Sequence, residues 1–111
     1  MKVDYELEAR SLNFEFRDVR EPEDGDYVEE LAGGMCIVWF RDDRPFSIQL
    51  LGADSYLDSL DEAAQRFDLD AEALRAGAQA AFAAPDREII IEVGIKLPTS
   101  YKEKPEEARA A

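Results

Sequence analysis

The chain has 111 residues, the length of one domain, and 46% of them are hydrophobic, too many for a disordered chain even with 35% charged. Its 26 acidic residues against 13 basic ones give a net charge of −13, which repels phosphate backbones and anionic lipid and so argues against nucleic-acid or membrane binding. Histidine is absent, which excludes serine triads, Cys–His nucleophiles and zinc sites built on imidazole.

Residues 2 to 8 alternate, with Val3, Tyr5 and Leu7 on one side and Lys2, Asp4, Glu6 and Glu8 on the other, the period of a half-buried strand. This start contains no signal-peptide core, and no apolar run nears the roughly 20 residues of a membrane span, so a cytoplasmic protein is the expectation. Leu12, Phe14 and Phe16, extending toward Val19, suggest a second strand, joined to the first through Ala9-Arg10-Ser11 as a hairpin. Residues 20 to 26, around Pro22 and Gly25, read as an exposed loop. Within and after it, Asp24, Asp26 and Glu29 have a spacing partly like a calcium loop, but the full pattern and its closing glutamate are missing, so a solvated loop without metal is expected.

Tyr27 to Leu31 is a short predicted strand, and Gly33-Gly34 marks a turn. Met35 to Phe40 is apolar on both sides, as in a strand covered front and back. Cys36, the only cysteine, lies in this run and reads as an inert core thiol. Asp42-Asp43-Arg44-Pro45 is a turn signal leading into Phe46 to Leu51, which closes a second hairpin.

After Gly52 the period changes. Leu57, Leu60, Ala64 and Phe67 form a helical stripe, with Ser59 and Glu62 spaced as a capping box. Asp70 is the expected N-cap of a second helix over 71–83, with Leu74, Ala78, Ala81 and Phe82 inward and Pro85 ending it. This second helix has Arg75 as its single basic residue, so the pair reads as a packed helical hairpin rather than a DNA-binding helix-turn-helix. Arg87 to Val93 returns to strand character, with Ile89, Ile91 and Val93 on one side. Ile90 suggests that part of the other side is also covered.

Strands followed by helices predict an α+β fold: a mostly antiparallel sheet of five to six strands, a two-helix hairpin on one face and a final strand after the helices. The alternative is a more open β-meander with the helices at one end. Residues 1–97 form the single expected domain and 98–111 a polar C-terminal tail.

The segment Tyr5-Glu6-Leu7-Glu8-Ala9-Arg10-Ser11-Leu12-Asn13-Phe14 resembles the Tyr-Asp-x-x-Ala-Asp-x-Leu-Tyr-Ile opening of a family of short bacterial proteins known as domain of unknown function 2283. Ile37 to Phe40, the acidic pair Asp42-Asp43 and Ile48-Gln49-Leu50-Leu51-Gly52-Ala53 are similar to the strand, turn and strand that follow in that family. The chain departs from it at Arg10, at Asn13 and at Arg44-Pro45, where the family has an acid, an aromatic and a turn glycine. The resemblance covers about the first half and implies strand arrangement, not activity.

No Gly-rich phosphate loop or dinucleotide fingerprint occurs, so no cofactor is implied. The aromatic residues Trp39, Tyr27, Phe40 and Phe46 could mark an interface, with ordinary core packing as the competing reading. The excess of acid reads as a solubilising surface or as a means of recognising a cationic partner. The leading expectation is a non-enzymatic, self-associating interaction module, a homodimer or other homo-oligomer. It leans on Met35 to Phe40 being shielded on both sides, by helices behind and by more protein in front. An acidic inhibitor of a basic partner protein is the alternative, and a carboxylate-based enzyme or small-ligand binder is the third reading.

Overall fold

In the computed structural model, residues 1–16 and 27–91 are described. They form a six-stranded antiparallel sheet with two helices on one face and a last strand after the helices, an α+β arrangement. In chain order the strands are β1 (Lys2–Glu6), β2 (Ser11–Glu15), β3 (Tyr27–Leu31), β4 (Cys36–Arg41), β5 (Arg44–Leu51) and β6 (Ile89–Ile90). The helices are α1 (Asp58–Phe67) and α2 (Ala71–Ala83), and a tight turn over Ala32–Gly34, all three at positive φ, joins β3 to β4. Across the sheet the order is β3-β4-β5-β2-β1-β6, so this is not a simple meander: the chain leaves β2 and re-enters at the far edge. That connection, including Val19 and the acidic loop over 20–26, lies outside the described residues, as do Val93 and the 98–111 tail.

Register explains the burial. One row runs Leu31, Cys36, Leu50, Leu12, Tyr5, and the next passes through Val38, Ile48, Phe14 and Val3; all of these are buried under the helices. α1 lies over β3 and β4, and α2 over β1 and β6. Small residues on α2 permit a close approach. A Cβ at Gly77 would stand 3.0 Å from Val3 Cγ2, 3.2 Å from Met1 Cε and 3.3 Å from Phe14 Cε2.

The β4–β5 hairpin closes on two residues, with Arg41 opposite Arg44. Asp42 (φ 57°) and Asp43 (φ 61°) both adopt the left-handed conformation of a type I′ turn, which short Asx side chains tolerate. The turn is therefore shorter than expected: Arg44 and Pro45 belong to β5. Pro45 can sit inside a central strand because the register shifts there, Trp39 pairing Ser47 while Phe40 pairs Pro45, so that Phe46 is the extra residue of a bulge.

Several end positions depart from the periodicity. Leu7 is 55% exposed, because β1 stops at Glu6 and the chain turns, Arg10 N–H donating to the Leu7 carbonyl. Leu57 is 38% exposed because it is the N-cap residue of α1, not part of its buried stripe. The Ser59–Glu62 capping box does not form. Ser59 already lies in the first turn of α1 and its hydroxyl donates to the Tyr56 carbonyl at 2.6 Å. By contrast Asp70 caps α2 as expected, accepting from Ala73 N–H at 3.1 Å. Ile90 is 56% exposed, since β6 is a two-residue edge strand with no described element over its outer side. β3 forms the other edge and carries Glu29 and Glu30.

Candidate functional site

Two surfaces emerge from this arrangement. The first is the face of the sheet away from the helices. Register places Val28, Trp39, Ser47, Glu15, Lys2 and Ile90 in one row and Glu30, Ile37, Gln49, Asn13 and Asp4 in the next. The face is apolar at the β3–β4 end and polar at the β1–β2 end. In the polar half Ser11 Oγ donates to Asn13 Oδ1 (3.2 Å), Asn13 Nδ2 donates to Asp4 Oδ2 (3.3 Å), and Lys2 pairs with Glu15 at 3.8 Å. In the apolar half Met35, Ile37 and Trp39 are half-buried, and among the described elements none packs over them. Among the described residues the Met35–Phe40 run is therefore shielded on the helix side only. Cys36, Val38 and Phe40 are sealed, while their neighbours meet water, because both helices pack on the same face.

The four aromatic residues singled out from sequence separate accordingly. Trp39 stands half-exposed on the open face. Tyr27 is 43% exposed, stacked on Phe40 with ring centroids 4.8 Å apart, and its hydroxyl donates to Asp43 Oδ1 at 3.3 Å. Phe40 is buried in the core, edge-on to Phe67 at 5.1 Å. Phe46 is also buried, with the Arg41 guanidinium 5.5 Å from its ring centre. Only Trp39 and Tyr27 offer surface to a partner.

The second surface is a groove between the helices that periodicity did not reveal. Leu57, Leu60, Ala78 and Phe82 form its apolar walls, Asp58, Asp61, Arg75 and Gln79 its polar rim, and its volume is about 210 Å³. Leu60 and Ala78, both buried in the core, lie at its base, and Phe82 stands edge-on to Tyr5 at 4.6 Å. Arg75 donates to Asp61 across the groove and ties α2 to α1.

Among the described residues, the shifted ionisable groups are one surface ion pair and one core thiol. The Arg10 guanidinium donates to Asp54 Oδ1 at 2.7 Å, holding the Asp54 carboxyl below and the Arg10 guanidinium above their ordinary values. Both side chains are exposed, so water and salt screen the pair. Burial pushes the Cys36 thiol up, against a hydrogen bond with Ser59, as expected of an unreactive core cysteine. Of the Asp24, Asp26 and Glu29 set, only Glu29 is among the described residues, within β3; no cluster of three or more potential metal ligands occurs among those residues. No described helix is long and apolar enough to cross a membrane.

No protein-family model matches this chain, and no curated protein or solved structure does either.

Proposed function

We propose that this domain is a non-enzymatic interaction module whose partner is a basic protein, bound in the manner of an acidic inhibitor. The observation that carries the reading is the charge balance together with its placement. Acidic residues outnumber basic ones 26 to 13, and three of the cations, Lys2, Arg10 and Arg75, are already committed to Glu15, Asp54 and Asp61. The field at the surface is therefore strongly negative. It speeds encounter with a cationic protein and opposes docking of two copies. A cytoplasmic setting belongs to this proposal, in keeping with a lone cysteine held in the core. Kinship of the first half with the domain of unknown function 2283 proteins would add strand arrangement only.

The test is isolation of the tagged full chain from its native cells, identification of stoichiometric partners, and titration of the partner at rising salt. A basic partner whose affinity falls steeply with ionic strength is the expected result. A neutral or acidic partner, or affinity indifferent to salt, removes the reading.

Self-association is the second reading, and the half-exposed apolar patch of Val28 and Trp39 with Ile37 in the next row favours it. No described element covers the second side of Met35 to Phe40, so the reading rests on those three side chains. Sedimentation at low and high salt decides: a monomer under both conditions ends it.

A further inference from the structure

From the groove between α1 and α2 we infer a docking site for one large apolar side chain, Leu or Phe in kind, carried by a Lys- or Arg-rich segment of the partner. The inference rests on the basic-partner reading and specifies where and how that partner is held. Size is the first argument. A cavity of about 150 Å³ accommodates a benzene ring, and this one measures about 210 Å³ with Leu57, Leu60, Ala78 and Phe82 as walls. It fits one anchor, and a side chain seated there with its surroundings closed to water is the kind of contact in which interface energy concentrates.

Charge selects the neighbours of that anchor. Asp58 and Asp61 stand on the rim, and both belong to the acidic first turn of α1. The one basic rim residue, Arg75, is bound to Asp61. An anchor entering here arrives beside carboxylates, so cations next to it in sequence gain and acids lose. Among the described residues the same argument disfavours a second copy of this chain: the most exposed apolar side chains there, Leu7 and Ile90, sit near Glu6, Glu8 and Glu88, which would face Asp58 and Asp61.

The test uses two short fluorescein-labelled peptides of Lys and Arg, one with a central Leu-Phe pair and the other with Ser-Ser in its place. Binding to the full chain is read by anisotropy, and the contact is mapped by backbone amide shifts. The expected result is tighter binding of the Leu-Phe peptide by about tenfold or more, with shifts centred on Leu57, Ala78 and Phe82. Leu57→Gln should abolish the difference between the peptides, and Asp58→Lys should weaken both. Both substituted side chains are exposed, and a retained melting transition verifies folding. Equal, salt-sensitive binding of the two peptides overturns the groove while leaving the acidic-surface reading standing. Shifts centred on Trp39 and Ile37 overturn the groove in favour of the open sheet face. No binding of either peptide at low salt overturns the basic-partner reading together with the groove.

Discussion

Gly77 offers a severe test of how α2 meets the sheet. In an exposed helix, Gly→Ala gains about 1 kcal/mol from propensity. At Gly77 the new methyl would meet Val3 Cγ2 at 3.0 Å and Phe14 Cε2 at 3.3 Å, and both side chains are buried in the core, where giving way by a few tenths of an ångström presses on further packed neighbours. Met1 Cε, at 3.2 Å, ends a flexible side chain and can move. Overpacking of this kind costs about 1–3 kcal/mol. Taking about 2 kcal/mol for the two fixed contacts and subtracting the propensity gain leaves a net loss of about 1 kcal/mol. For a chain of 111 residues that lowers Tm by about 4 °C. Ala76→Gly at the exposed neighbouring position should lower stability by a similar amount through propensity alone, so opposite changes in the same helix act in the same direction. Val3→Ala should cost about 2 kcal/mol alone and, by making room for the methyl, remove about 1 kcal/mol from the summed cost in the double variant. Thermal and urea unfolding of the parent, the two single variants and the double variant measure the cycle. A rise in Tm for Gly77→Ala, or simple additivity with Val3→Ala, would refute the close packing described.

Three further outcomes follow from local structure. Asp70→Ala should cost about 1 kcal/mol by removing the acceptor for Ala73 N–H, whereas Asp70→Asn should retain most of the stability in urea unfolding. Ala32→Gly should stabilise by about 1 kcal/mol, since Ala32 has φ 55° and glycine takes that conformation without a Cβ penalty. The Asp54 carboxyl, depressed by Arg10, contributes stability present above the unfolded carboxylate value and lost as pH falls through its lower folded value. Carboxyl NMR titration should show its midpoint rising in Arg10→Gln, with added salt narrowing the difference between the two proteins.

Much of the fold was legible because its signals are local. Period-two alternation located β1 and β2, apolar runs between turn residues located β4 and β5, and Asp70 with Pro85 bracketed α2 within a residue or two. The errors fall where periodicity continues past the point at which the backbone turns. Leu7 and Leu57 extend their stripes on paper, but a turn ends one element and an N-cap begins the other, so both side chains reach water. Strand order was not legible, since sequence spacing does not say that the chain returns at the far edge to form β3. Nor could an apolar run on both faces of β4 say that the described helices both pack on the side of Cys36, Val38 and Phe40. The candidate site was the least visible part. Trp39 and Tyr27 were found as aromatics, whereas the groove brings together residues of two helices whose relative placement sequence spacing does not give.

The outer strand β3 has a bearing on how this protein behaves when crowded. A sheet whose border is open to solvent can grow by adding a strand from a neighbouring molecule. Were two molecules to align border to border around Glu29, that residue would meet its own copy and Glu30 would lie opposite Val28. Like carboxylates at the centre of such a junction act as a lock against fibre-like growth. Exchanging both for glutamine would open that lock without touching the core.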